Sequence, residues 1–312
     1  MSQSIETKPR SKDSLFAWGI VWYTVVIIAW GAWVRISHSG DGCGEHWPLC
    51  HGKAVPVDAP VKTWIEVSHR YSTAIYGLLV LALLARARLT FSKGHPTRWW
   101  TGAVLFFTVT EALIGRQLVT MGLVDASTDL ARLVVMPLHL INTSALLFCA
   151  VMAAENFRWT DSRRRSLSPE LRTRLLWALV ILLALLTSGA LAALGSHLAP
   201  SESLQSGLAH DLSADSHLAV RLRILHPILA LSVALLVPYL GSRLRAVAPS
   251  AVAAAWYGRV VGAVWLALLI GVLTLWQLAP AWLKISHLLM ANVLIIIVSV
   301  AVFHSIRSSE QA

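Results

Sequence analysis

Eight apolar runs, each long enough to cross a bilayer, follow one another along the chain, separated by polar connections. A spanning helix takes ~20 predominantly apolar residues. The runs at 15–35, 64–86, 99–123, 131–154, 174–196, 219–241, 256–279 and 281–306 meet that length. Most connections are too short to fold alone, so the pattern predicts one all-α integral membrane protein. Its parts are a polar tail (1–14), a four-helix N-terminal half (15–154), a linker (155–173), a four-helix C-terminal half (174–306) and a tail (307–312). Met1 to Lys12 is polar and the first run already spans, so no cleavable leader is expected.

Charge changes the picture by its placement. The chain of 312 residues is 56% hydrophobic and 13% charged, about half the charged share of a soluble domain. The net charge of +10 would fit nucleic-acid binding, but its distribution argues against it. Basic residues collect in alternate connections: Lys8, Arg10 and Lys12; Arg86, Arg88, Lys93 and Arg98; Arg158, Arg163, Arg164, Arg165, Arg172 and Arg174; Arg243, Arg245 and Arg259; then Arg307. The other connections hold Asp41, Glu45, Asp58, Asp125, Asp129, Glu202, Asp211 and Asp215. By the positive-inside rule both termini are cytoplasmic and the loops 36–63 and 197–218 face outward, as for a multi-pass bacterial inner-membrane protein.

Four of the twelve histidines lie inside apolar runs: His69, His139, His226 and His287. Ionisable residues in a bilayer are costly and usually have a partner or ligand. At 1.5 Å of rise per residue they sit about 8, 12, 10 and 9 Å below the outward ends of their helices. The halves also resemble each other. His69 and the run after it match His226 and its run, and His139 matches His287; Gly31 to His38 has a weaker echo in Gly189 to His197. Four helices repeated in one orientation form a parallel repeat about the membrane normal. Matched depth and repeat register point to two bis-histidine haem sites, His69 with His139 and His226 with His287. The alternative is four histidines that merely hydrogen-bond within the bundle.

The halves differ next to the ligands. Three residues before His69 stands Glu66, and three before His226 stands Arg223; that spacing shares a helix face. A carboxylate here can donate or accept a proton in oxidative chemistry; the plainer alternative is an ion pair with Arg70 or Lys62. A guanidinium suits a haem propionate. The N-terminal site therefore reads as reactive and the C-terminal one as a fixed electron-transfer haem. Arg35, Arg70 and Arg116 are further candidate propionate partners near the outward ends, with an interfacial structural role as the alternative for Arg116. Glu111 shares the third run with Arg116, five residues away and not ideally placed to pair with it. Among the remaining histidines, His38, His46, His51, His197, His210 and His217 fall in outer loops with no role assigned.

Cys149 lies in an apolar run and reads as packing. Cys43 and Cys50 fall in the outer loop, where a disulfide persists and would contribute roughly 2–3 kcal/mol by closing a short loop. The alternative is a metal site using Cys43, His46, Cys50 and His51.

In Glu66-x-x-His69-Arg70, His139, His226, His287, the four-plus-four repeat and the Cys43–Cys50 loop, the chain resembles the haem A synthases over roughly residues 15–306. That resemblance implies a membrane oxidoreductase that converts haem O to haem A. It oxidises the C8 methyl group to a formyl through hydroxylated intermediates, for an aa3-type terminal oxidase. It further implies haem O as substrate at His69 and His139 with Glu66 catalytic beside it, and haem b as cofactor at His226 and His287. Haem O synthase, cytochrome oxidase assembly proteins, membrane lipid and further copies of the chain are the expected partners. Two departures stand out: residues 197–218 carry no second cysteine pair, and Pro227 follows His226 where members have arginine. A propionate role for that arginine would move to Arg221 or Arg223. The alternative function is a dihaem cytochrome exchanging electrons with quinone and leaving its haems unmodified.

Overall fold

The computed structural model describes residues 11–125, 127–159 and 167–307. The first part of the N-terminal tail, with Lys8 and Arg10, lies outside the described residues, as do linker residues 160–166 with Arg163, Arg164 and Arg165 and tail residues 308–312. The described chain forms ten helices: α1 (Ser11–Ile36), α2 (Val61–Thr90), α3 (Pro96–Thr120), α4 (Arg132–Arg158), α5 (Pro169–Leu198), α6 (Leu204–Leu212), α7 (Leu218–Leu222), α8 (Leu225–Ala246), α9 (Ala251–Trp276) and α10 (Ala281–Ile306). Among them no strand occurs, and Cys50 with Lys53 makes an isolated bridge.

Eight spans are long and apolar enough to cross a membrane, with α7 and α8 together making the sixth. Several helices start earlier than their apolar runs because polar residues cap them. His95 accepts from Thr97 N ahead of α3, Ser168 from Leu171 N ahead of α5, and Ser250 from Ala253 N ahead of α9. Pro96 and Pro169 occupy the first turns, where a missing N–H costs nothing. The sixth span is interrupted at Arg223–Ile224. Pro227 has no N–H to give the Arg223 carbonyl four residues back, and His226 N takes that carbonyl instead, at 3.3 Å.

The two halves meet along α4, which packs on α1, α3, α5 and α10. In α4 and α10, 44% of the apolar stretch is buried, against 28% or less in every other span. The largest core cluster joins Val21, Leu83, Val104, Leu147, Phe157 and Ile295 from α1, α2, α3, α4 and α10. The arrangement is that of two four-helix bundles sharing a central wall, consistent with an internal repeat. α6, within the loop 197–218, is the element hydropathy missed: it is nine residues long, closed by a Ser203–Ser206 capping box.

Candidate haem-binding sites

His69, His139 and His287 lie about two turns inside α2, α4 and α10, and His226, the second residue of α8, lies about two turns inside the sixth span counted from Leu218, all on the side of the disulfide loop. His69 and His139 are electrostatic neighbours. The rings of His226 and His287 stand 6.1 Å apart between centroids, at 70°.

Each histidine is backed by a glycine of the preceding span. A Cβ on Gly31 would stand 3.0 Å from His69 Cε1, on Gly115 3.8 Å from His139 Cε1, on Gly189 3.2 Å from His226 Cε1, and on Gly271 3.0 Å from His287 Cε1. At Gly31, Gly189 and Gly271 glycine thus lets a helix backbone approach an imidazole where a Cβ would crowd it, whereas at Gly115 a Cβ would make ordinary contact. Sequence reasoning quoted Gly31 and Gly189 only as part of the repeat and missed Gly115 and Gly271. An isolated glycine in an apolar helical run was the available signal.

The ligand rings differ in what meets Nδ1. His226 Nδ1 contacts Ser188 Oγ at 3.1 Å. His139 Nδ1 lies 3.3 Å from Glu111 Oε1, a charge contact whose alignment falls short of a hydrogen bond. His69 Nδ1 is buried without a hydrogen bond. His287 Nδ1 makes no well-formed hydrogen bond, with the Ala267 carbonyl beside it. Imidazoles in glycine cradles, at one depth and in two pairs, make a donor set that fits two haem irons.

Above these sites, one face of α2 grips the outer loop. Glu66, 3% exposed, accepts from Cys43 N at 2.7 Å and is ion-paired with Arg70. Arg70 also donates to the carbonyls of His46 (2.7 Å) and Leu49 (2.9 Å). Thr63 donates to Gly42 O at 2.6 Å, and Tyr71 to Ala54 O. Cys43 and Cys50 are joined as a disulfide, so their sulfurs are bonded to each other and the zinc-type alternative loses two of its ligands.

Arg223 does the corresponding work in the second half. It pairs with Asp211 and donates to Ala199 O, Ser201 Oγ and Gly207 O. These contacts engage its guanidinium with the loop, so the structure makes Arg223 and Arg70 loop anchors. Arg116 and Arg221 are exposed on α3 and α7. Arg35 instead lies in electrostatic reach of Arg132 and Lys284. Arg132 is 2% exposed, its Nε has no partner, and it donates to the carbonyls of Asp125 and Ser127. Lys284 stands three residues before His287, in the position Glu66 holds before His69. This cationic cluster between the halves was not foreseen beyond Arg35.

At the loop face, His38 and His197, the ends of the Gly31 and Gly189 echoes, stack with centroids 4.3 Å apart. Both reach Asp125: His38 Nδ1 meets its carboxylate at 2.8 Å and His197 Nε2 its carbonyl at 3.0 Å. The three residues latch one half to the other.

Eight apolar helices with two pairs of histidines among them define a multi-pass membrane protein with two candidate metal-ligand pairs. The comparisons are more specific. The family model described as COX15-CtaA, cytochrome oxidase assembly protein, matches residues 14–299, and the chain belongs to that family. A Thermus thermophilus protein named "Protoheme IX farnesyltransferase" is 37% identical over 290 residues, 92% of this chain and 47% of that protein. "Heme A synthase" of Exiguobacterium sibiricum is 29% identical over 179 residues, 57% of this chain and 58% of that protein. "Heme A synthase" of Symbiobacterium thermophilum is 34% identical over 166 residues, 50% of this chain and 51% of that protein. The chain spans about half the length of the curated relatives it matches.

Proposed function

We propose that the protein is a haem A synthase, oxidising the C8 methyl group of haem O to a formyl group through hydroxylated intermediates. The observation that carries this reading is the pair of bis-histidine sites, equal in depth and glycine backing yet unequal in their polar neighbours. One site is built to hold a haem, and the other carries carboxylates on the helices that hold it.

In this reading haem O binds between His69 and His139 and haem b between His226 and His287. Bound haem supplies the iron redox chemistry; the chain supplies axial ligands, charge and exclusion of water. Glu66 lies one turn before His69 on the same face of α2. Its contacts to Arg70 and Cys43 N hold the carboxylate at the rim of the N-terminal site, where it handles a proton during methyl oxidation. The Arg35–Arg132–Lys284 cluster meets the propionates between the halves. The disulfide loop, clamped by Thr63, Glu66, Arg70 and Tyr71, covers that site from the outward face, with both termini cytoplasmic. The name of the Thermus thermophilus relative supports a farnesylated haem as substrate and a haem O-forming enzyme as partner. The product would pass to the assembly of an aa3-type oxidase.

The test is to express the chain with and without a haem O-forming enzyme and to separate the extracted pigments by chromatography and mass spectrometry. Haem A or hydroxylated haem O appearing only with the haem O source is the expected result. Haem b alone in both cultures, with haem O available, would replace this reading by the dihaem electron carrier.

A further inference from the structure

The four histidine–glycine pairs share a second register position, the residue one turn before each glycine: Ile27, Glu111, Leu185 and Ala267. Three of these are apolar, and two of them, Leu185 and Ala267, place their carbonyls beside His226 and His287. At Glu111 alone the position carries a charged side chain, directed at Nδ1 of His139.

That carboxylate is held by a built set of donors. Asn142 Nδ2 donates to Glu111 Oε2 at 2.7 Å, and Thr143 Oγ1 donates to Oε1. Asn142 is itself fixed: its Nδ2 also reaches Phe107 O at 3.0 Å, and its Oδ1 accepts from Thr110 at 2.7 Å. His139, Asn142 and Thr143 follow the i, i+3, i+4 spacing that puts all three on one face of α4. A carboxylate within an apolar span is costly unless it is paired and hydrogen-bonded. Here Oε2 accepts from Asn142, while Oε1 lies against the Thr143 hydroxyl, which also reaches the His139 carbonyl at 2.8 Å, and stands 3.3 Å from Nδ1 of the His139 ring.

We propose that Glu111 is a positioning residue that fixes the orientation and tautomer of His139 and makes it the most strongly donating of the four axial ligands. A carboxylate behind a metal-bound imidazole orients the ring and raises its basicity; losing such a partner typically costs 10–100-fold in metal affinity or activity. His226, by contrast, has a neutral hydroxyl behind it. The His69–His139 site would therefore hold a bound haem at a lower potential than the His226–His287 site. This deepens the synthase reading and rests on it only for the identity of the haem.

The test uses the full chain purified with the haem it acquires, or loaded with haemin, and titrated potentiometrically. Glu111→Gln keeps the shape and the hydrogen bonds to Thr143 and Asn142 within reach but removes the charge. One of two waves should move up by about 59 mV, a tenfold change in its one-electron equilibrium, while the other stays. Ser188→Ala, which alters only the partner of His226, should move the other wave. Thr143→Val, removing one donor to Glu111, should shift the same wave as Glu111→Gln by less. Glu111→Gln leaving both waves in place, or moving both equally, overturns the proposal, as does failure of haemin to ligate His139. A shifted wave in a protein that makes no haem A keeps Glu111 and discards the synthase reading. Haem A formation with an unshifted wave does the reverse.

Discussion

Replacing the glycines behind the histidines one at a time gives a graded perturbation whose order is fixed by distance. Carbon atoms in comfortable contact lie 3.5–4.0 Å apart, so roughly that separation is the reference. A Cβ at position 31 or 271 would start 3.0 Å from its imidazole, and at 189 3.2 Å, whereas at 115 the 3.8 Å separation is ordinary contact. Overpacking of this kind costs ~1–3 kcal/mol, and alanine recovers up to ~1 kcal/mol of helix propensity over glycine. The fold should therefore survive all four changes while the imidazole gives way at positions 31, 189 and 271. A ligand displaced by several tenths of an ångström should weaken haem retention by the ~10–100-fold typical of lost ligand support. The assay is haem per polypeptide, by pyridine haemochrome, after dilution in detergent. Gly31→Ala and Gly115→Ala make the sharpest comparison, because both act on the same site. Equal retention by these two, or wild-type retention by Gly271→Ala, would refute the assignment of the glycines as ring supports.

Glu66→Gln removes one partner of a buried pair, which costs ~3–5 kcal/mol where the other charge is left behind; the outer loop should become protease-sensitive, and haem A formation should collapse. Full haem A output from that variant would remove Glu66 from the chemistry. Cys43→Ser opens a loop with a sequence separation of 7, which by loop-closure entropy costs about 2.5 kcal/mol; cleavage near the exposed Trp47 and Leu49 should then precede loss of haem, as limited proteolysis with mass spectrometry would report. Arg223→Ala leaves Asp211 partly buried and without its ion-pair partner, so cleavage around α6 should rise, with the loop 42–54 unaffected.

Hydropathy carried most of the fold, because the bilayer imposes a length on every span that a sequence cannot conceal. Span ends were less legible. Ser168 with Pro169, and Ser250, begin helices inside polar connections where hydropathy has already fallen. α6 is short and amphipathic and sits in a loop, so no spanning pattern marks it. The histidines were readable because a polar ring in an apolar run is conspicuous. Their supporting glycines were not, since a missing side chain acts only through what packs against it. Arg223 and Arg70 were visible as charges, but backbone carbonyls from distant loops decide what they do, and those partners have no signature in sequence. Glu111 was noticed and weighed against Arg116, its neighbour along α3, while its contacts come from across the helix pair.

The central wall formed by α4 and α10 has a consequence for how the molecule is made. During synthesis the N-terminal bundle enters the membrane with three of its helices able to pack and the fourth, α4, still lacking the neighbour that covers its far side. That neighbour is the last of the eight spans to emerge from the ribosome. His69 and His139 are therefore attached to an unfinished structure until translation has passed α10. The two halves are in this way indivisible: each carries its own pair of histidines, but neither completes its wall alone.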